Sequence, residues 1–166
     1  MRVILLSSIL FLFACSSIDC PVKNTVAVYY VISSYNDAGE MVADSLRDTL
    51  WVWTRRADDE DTLVLNRLVD KSRFSLPISY NHPEDVLIFA TRDTSLAWTL
   101  DTVWLKKDNI PHFESVDCSA HFFHQLTNVR CTHDAIDSLV ISNPSVTYDD
   151  GVTNIHIFFK NRETTE

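Results

Sequence analysis

Cysteine and histidine, two residue types that bind zinc, lie close together in one segment of the chain. They follow the pattern C-x2-H-x2-H-x6-C-x-H and comprise Cys118, His121, His124, Cys131 and His133. Zinc binds such side chains tetrahedrally, so His121, His124 and His133 form a candidate metal site. Successive side chains of a β-strand point to opposite faces, however, so an extended segment would separate His121 from His124. The spacing also matches no zinc-finger pattern, and we therefore favour surface histidines beside a disulfide bond.

The four tryptophans form a second candidate site. Trp51 and Trp53 are two positions apart, and Trp98 and Trp104 are separated by an even number of positions, so each pair shares one face of a strand. Tryptophan offers large apolar contacts at low entropic cost and is typical of surfaces that bind sugars or peptides. It is also a residue of sandwich cores. The favoured interpretation is burial in the core, and the alternative is an exposed platform for a glycan or a peptide.

Glycine is too rare for the common nucleotide- and phosphate-binding motifs. Gly39 and Gly151 are the only glycines, whereas the Rossmann fingerprint, the P-loop and the nucleophile elbow each need at least two at fixed, close spacing. No local motif positions a serine for a Ser-His-Asp triad. We therefore expect a protein that is not an enzyme and that holds no cofactor.

The N-terminus carries a signal for export and lipid attachment. Arg2 precedes an apolar run over residues 3–13, which has the length of a signal-peptide core and is too short to span a bilayer. The tetrapeptide LFAC that ends at Cys15 resembles the bacterial lipobox, although its phenylalanine stands where a small or β-branched residue is usual. We predict that residues 1–14 are removed, that Cys15 is the site of lipid attachment (palmitate), and that residues 15–20 form a tether. The alternative is a buried first strand with an ordinary core cysteine.

Cys20, Cys118 and Cys131 remain for the oxidising compartment that such a signal implies. Disulfide bonds persist in that compartment, so one bridge and one free thiol is the simplest arrangement. The sequence alone leaves every pairing open. A Cys20–Cys118 bridge would close a long loop and stabilise the fold by about 2–4 kcal/mol, whereas Cys118–Cys131 is the local alternative.

Short apolar or alternating segments, separated by turn residues, predict strands along the whole chain. Their regular spacing, without a convincing amphipathic helix, indicates an all-β fold, an antiparallel β-sandwich of immunoglobulin-like, Greek-key type. A closed β-barrel is the alternative. The predicted strands lie at residues 25–33, 49–55, 62–68, 74–80, 86–91, 96–105, 113–117, 122–131, 136–142 and 155–160.

Length and composition fit one acidic domain. Of the 166 residues, 46% are hydrophobic, and we expect residues 21–160 to form a single β-sandwich domain followed by a frayed tail at 161–166. The net charge of −9 repels nucleic acid. We therefore do not expect a nucleic acid among the partners.

Several short segments carry a resemblance that covers most of the chain. They are DCP at Cys20, LNR at Leu65, FSLPI at Phe74, DTVWLKK at Asp101, PHFESVDC ending at Cys118, TH at Thr132 and IDS at Ile136. Together they resemble an uncharacterised family of Bacteroidota cell-envelope lipoproteins, a domain of unknown function. The resemblance implies a small lipid-anchored β domain without an assigned activity, whose paired cysteines are Cys20 and Cys118.

We expect a lipid-anchored protein of the bacterial outer membrane that faces the periplasm. Ser16 and Ser17 follow the anchor, as in lipoproteins that are sorted to that membrane. The expected function is a non-enzymatic binding or structural module, attached to the membrane through its lipid and in contact with an envelope protein or a glycan. A glycan- or peptide-binding module that uses exposed tryptophans and a zinc-binding periplasmic protein are the alternatives.

Overall fold

The computed structural model of the chain describes residues 26–55, 60–113, 115, 118 and 121–160. The regular secondary structure in these ranges consists of β-strands, without a helix. The predicted signal peptide, the tether with Cys20 and the C-terminal tail lie outside the described residues. In the described ranges no helix has the length and apolarity that a membrane crossing requires.

Eleven strands make up the described chain, because segments rich in β-branched and aromatic residues alternate with polar turns. In chain order they are β1 (Ala27–Tyr35), β2 (Met41–Ala43), β3 (Thr49–Arg55), β4 (Asp61–Leu68), β5 (Arg73–Pro77), β6 (Glu84–Arg92), β7 (Trp98–His112), β8 (His121–Cys131), β9 (Ile136–Ile141), β10 (Ser145–Val146) and β11 (Ile155–Phe159).

The strands form two sheets that pack against each other. The five-stranded sheet has the order β2-β1-β11-β9, and β5 pairs with the N-terminal half of β1. The six-stranded sheet has the order β10-β8-β7-β6-β3-β4, and its neighbours are all antiparallel. The predicted all-β sandwich is confirmed.

One strand pair departs from the antiparallel pattern that the sequence predicts. β1 and β11 run parallel, with Tyr30 opposite Ile155 and Ile32 opposite Ile157. Both strands are rich in buried apolar residues, and such a pattern carries no information about strand direction. The direction of β11 relative to β1 depends on the path of the chain between the two sheets, because β11 follows β10 of the other sheet.

The apolar core lies between the two sheets. Leu50 of β3 and Val103 of β7 face it from the six-stranded sheet, and Tyr30 of β1 faces it from the other. The Tyr30 ring stacks on Phe74 at a centroid distance of 5.0 Å and meets Phe89 edge-on at 6.2 Å. Because side chains alternate along a strand, burying this face leaves the intervening residues of the six-stranded sheet on its outer surface.

β7 is longer than its hydrophobic pattern predicts. The pattern ends at residue 105, but β7 continues to His112 and remains paired with β8 throughout. The separate strand expected at 113–117 is not formed at Phe113 or Ser115, its described residues. Hydrogen bonds to β8 hold the polar second half of β7 extended. The hydrophobic pattern of a single segment does not reveal such bonds to another strand, so it predicted too short a strand.

Candidate functional site

All four tryptophans lie on the outer surface of the six-stranded sheet. Trp51 and Trp53 alternate with buried residues of β3, and Trp98 and Trp104 do the same on β7. None of the four belongs to the core cluster, so their interpretation as core residues is wrong. β6 lies between β3 and β7 and brings the two pairs onto one surface. We call Trp51, Trp53, Trp98, Leu100 and Trp104 the Trp face.

The centre of the Trp face is a contact between Trp51 and Trp98. Their ring centroids are 4.8 Å apart and their planes are tilted by 45°. The two rings belong to strands that are not neighbours, and they meet over β6, where Ala90 lies opposite both Trp51 and Leu100. The small side chain of Ala90 leaves room for this contact. Trp98 remains 52% exposed and Leu100 58% exposed, so the centre of the face is apolar and open to solvent.

Two arginines stack on tryptophans of this face. Arg92 of β6 lies opposite Trp98, with its Cζ 5.4 Å from the ring centroid. Arg130 of β8 lies opposite Trp104, with its Cζ 4.0 Å from that centroid, and its guanidinium is 3.6 Å from Glu84. A cation over an exposed ring contributes about 0.5–1 kcal/mol. The stacking therefore orients the rings and places positive charge beside apolar surface.

A groove of about 330 Å³ adjoins Trp51. Its walls come from β3, from the end of β4 and from the turn between β6 and β7. Leu96 stands at the groove with 63% of its surface exposed. The lining residues are Thr49, Trp51, Arg67, Arg92, Asp93 and Leu96. Two guanidinium groups, one carboxylate and one indole therefore line the same groove.

The arginines of this site are not among the residues that the sequence pattern singles out. Arg92 and Trp98 flank a tight turn in which the Leu96 N–H donates to the Asp93 carbonyl over 3.1 Å. The polar residues of that turn are a hairpin signal, and the resulting register would have paired Arg92 with Trp98. Arg130 had no comparable local signal, because the connection between β7 and β8 is long.

A cluster of polar side chains is buried in the sandwich. The Nζ of Lys107 on β7 lies 3.0 Å from the Oδ2 of Asp85 on β6 and forms an ion pair with it. The same ammonium donates to Ser79 Oγ over 3.1 Å and to the His82 carbonyl over 2.9 Å. Asp85 also accepts hydrogen bonds from the backbone N–H and the hydroxyl of Ser79. Every polar group of this ion pair is thus satisfied.

His124 extends this buried cluster. Its Nδ1–H donates to Asn109 Oδ1 over 2.8 Å, since the amide nitrogen of Asn109 donates to the carbonyls of Tyr80 and His82. Burial lowers the pKa of His124 from 6.5 to about 4, and the positive charge of Lys107 acts in the same direction. His124 is therefore neutral at physiological pH and has a structural role.

The candidate zinc set of His121, His124 and His133 is wrong. β8 begins at His121 and ends at Cys131, so His121 and His133 are separated by a strand on the order of 30 Å long. His124 faces the buried cluster, and the imidazole of His133 donates from Nδ1 to the Asp137 carbonyl over 2.7 Å. No three His, Cys, Asp or Glu side chains of the described ranges are arranged to hold a metal ion.

Cys131 carries a free thiol, so the alternative bridge between Cys118 and Cys131 is wrong. The Cys131 Sγ lies 3.5 Å from the Nδ1 of His133. Burial raises the pKa of this thiol. The Cys20–Cys118 bridge stays a prediction, because Cys20 lies outside the described residues.

Asp101 of β7 is a buried carboxylate that organises the connection between β8 and β9. Its Oδ1 accepts hydrogen bonds from the Thr132 hydroxyl over 2.9 Å and from the Asp134 N–H over 2.7 Å. Its Oδ2 accepts from the N–H groups of Ala135 and Ile136 over 2.7 and 2.9 Å. One side chain thus fixes the path of the chain as it crosses from one sheet to the other.

Comparison with known proteins yields one family. A model described as a family of unknown function (DUF6452) matches residues 49–159. The matched region includes the Trp face, the groove, the buried ion pair and Asp101. Neither a curated protein nor a solved structure matches the chain.

Proposed function

The chain belongs to the DUF6452 family of unknown function, and we propose that it is a lipid-anchored, non-enzymatic binding module of the bacterial cell envelope. The Trp face is its ligand-binding surface, and a second envelope protein is its partner. The observation that supports this proposal is the convergence of four partly exposed tryptophans on one surface of one sheet.

The composition of the Trp face favours a polypeptide partner over a glycan. Tryptophan and arginine are the residue types that contribute most to protein–protein binding, and here Arg92 and Arg130 stack on two of the tryptophans. A sugar would stack on a free ring, but Arg130 already covers the ring of Trp104. The aliphatic side chain of Leu100 at the centre gives further apolar contact of the kind found in the core of protein interfaces.

The buried cluster supports a non-enzymatic role. Ser79 is the side chain of this cluster that could act as a nucleophile, and its hydroxyl is hydrogen-bonded to Lys107 and to Asp85. Lys107 and Asp85 are both buried and paired with each other, so neither is placed to act on a substrate. We assign these residues to stability.

The proposed location follows from the N-terminal sequence. The lipobox-like tetrapeptide at Cys15 and the resemblance to Bacteroidota lipoproteins support attachment through acyl chains. Two or three chains anchor a protein stably, since each buried methylene contributes about 0.8 kcal/mol. We place the domain at the outer membrane, facing the periplasm.

Photo-cross-linking tests the Trp face as the binding surface. With the full chain expressed in bacterial cells, p-benzoylphenylalanine at position 100 should give a discrete adduct that protease removes. The same probe at Val140, an exposed residue of β9 on the opposite sheet, should give none. Adding Trp98→Ala to the position-100 probe should reduce the adduct at least about tenfold, because a tryptophan at the centre of an interface contributes about 2 kcal/mol or more.

Two results would contradict the binding proposal. Equal adducts from positions 100 and 140 would mean that the Trp face has no special affinity. An adduct that resists protease but is removed by periodate would identify a glycan instead of a polypeptide.

Lipid attachment is tested by Cys15→Ser. This variant should move from the membrane fraction to the soluble fraction, because the thiol that carries the first acyl chains is lost. Cys131→Ser removes a free thiol of the domain and serves as the matched control, which should stay in the membrane fraction. Unchanged membrane association of Cys15→Ser would refute the anchor.

A further inference from the structure

We propose that the groove beside Trp51 binds an acidic side chain, Asp or Glu, presented by the polypeptide partner between apolar residues. The inference rests on the proposed function, because it names the chemistry that the partner of the Trp face carries. It assigns a role to Arg67 and Arg92, which line the groove.

Charge is the first argument for an acidic ligand. The chain as a whole has a net charge of −9, yet two guanidinium groups and only one carboxylate, that of Asp93, line this one groove. Within the described ranges Arg67 forms neither an ion pair nor a hydrogen bond, while Arg92 donates only to the Leu96 carbonyl, over 3.4 Å. The carboxylate of Asp93 accepts hydrogen bonds from Ser95 and Ala97 and so holds the turn. The arginines keep donors for a ligand, and a carboxylate matches the geometry of a guanidinium.

Backbone conformation is the second argument, independent of charge. Arg67 has a φ of 57° and Leu96 a φ of 69°, a left-handed conformation that favours glycine. Arg67 lies where β4 has one extra residue, since Leu50 pairs with Leu68 but Val52 pairs with Leu65. Glycine is the usual residue at the left-handed position of such a bulge. Of the four described non-glycine residues with a positive φ, Arg67 and Leu96 line the groove, which indicates that these long side chains have a function.

The apolar surface around the groove defines the rest of the ligand. Trp51 forms one wall, Leu96 lies at the opening, and Trp98 contacts Trp51 at 4.8 Å. When Arg67 and Arg92 bind the carboxylate, the residues on either side of the acidic residue in the partner's sequence would therefore lie against apolar surface. The partner segment that fits is an acidic residue flanked by leucine-like side chains.

Two blocked pentapeptides test the proposal directly. Acetyl-Gly-Leu-Glu-Leu-Gly-amide and its glutamine counterpart would be titrated into the full chain in detergent, while the indole N–H signals of Trp51 and Trp98 are followed by NMR. The glutamate peptide should bind about tenfold or more tightly than the glutamine peptide, because each charge-assisted hydrogen bond favours the ionised ligand.

Matched variants separate binding from folding. Arg67→Gly and Arg92→Gln should each remove the preference for glutamate. Arg55→Gln makes the same change in charge at an exposed pair with Asp61 and should keep the preference. Arg67→Gly relieves the left-handed strain, so its thermal midpoint should equal or exceed that of the parent chain.

The outcomes distinguish the groove from the Trp face. Equal binding of both peptides, lost in Trp98→Ala, would overturn the acidic specificity and leave the proposed function standing. Absence of binding by either peptide at millimolar concentration would overturn the groove as a ligand site, while cross-linking at position 100 would still test the face. A glutamate preference that survives both arginine substitutions would also overturn it.

Discussion

Replacing Lys107 with methionine should lower the free energy of unfolding by about 3–5 kcal/mol, because the substitution leaves the carboxylate of Asp85 buried without its counterion. Lys107 is 1% exposed and Asp85 8% exposed, so water cannot replace the lost charge. The hydrogen bonds from Ser79 to Asp85 remain but do not neutralise it. Urea denaturation followed by circular dichroism measures the change.

A second substitution shows whether charge is the cause. Adding Asp85→Leu to Lys107→Met should recover most of the lost stability, since replacing a whole buried ion pair by apolar residues is often neutral or better. Arg55→Met breaks an exposed ion pair with Asp61 and should cost less than about 1 kcal/mol. A double variant no more stable than Lys107→Met would refute the ion-pair explanation.

The same variant has a spectroscopic signature. The charge of Lys107 helps to lower the pKa of His124 to about 4, although burial is the larger cause. Lys107→Met should therefore raise the pKa of His124, while burial keeps it below its ordinary value of 6.5. NMR titration of the His124 imidazole measures the shift, and an unchanged pKa would mean that the two groups do not interact as described.

Asp101→Asn should destabilise the fold by about 2–6 kcal/mol, although the two side chains have almost the same shape. The NH2 group of asparagine would take the place of one carboxylate oxygen. Its N–H donors would then face the donors that now bond to that oxygen. If it replaces Oδ2, the buried amides of Ala135 and Ile136 lose their acceptor. Each unsatisfied buried donor costs about 1–3 kcal/mol.

Hydrogen exchange locates this effect within the molecule. In Asp101→Asn the amides that bond to the replaced oxygen, Asp134 for Oδ1 or Ala135 and Ile136 for Oδ2, should exchange faster than in the parent chain, because those hydrogen bonds are lost. Asp108→Asn, an exposed position on the same strand, is the matched control and should change stability by less than about 0.5 kcal/mol. Equal effects of the two substitutions would show that the Asp101 carboxylate does not organise the connection.

The sequence pattern indicates an inward position for Lys107, but it does not identify the partner that allows the lysine to be buried. Val103 and Leu105 set an alternating phase that, continued along the strand, places Lys107 on the inner side, and the structure buries all three. Lysine is rarely buried without a partner. The partner is Asp85 on the neighbouring strand, and the pairing of β6 with β7 brings the two side chains together. The residue pattern of one strand carries no information about which residues of the neighbouring strand lie beside it.

The histidines and cysteines show the opposite case, in which closeness in sequence was misleading. His121 and His133 lie near each other along the chain but at opposite ends of β8. The rise of an extended chain, about 3.3 Å per residue, separates them further than a metal ion can bridge. Cys131 keeps a free thiol instead of bonding to Cys118, the nearest cysteine in sequence.

The sequence by itself determined the all-β fold and the fact that Trp51 and Trp53 share one side of a strand, because alternation with a period of two residues is a local property. It did not determine which side is buried. That was decided by the second sheet, which covers Leu50 and Val52 and leaves the tryptophans outside. Nor could it place Arg67 beside Arg92, since the groove joins strands that meet only when the sheet forms. The alternation of side chains along a strand is a local property of its sequence. Which face of that strand becomes buried depends on contacts with segments that are distant in sequence.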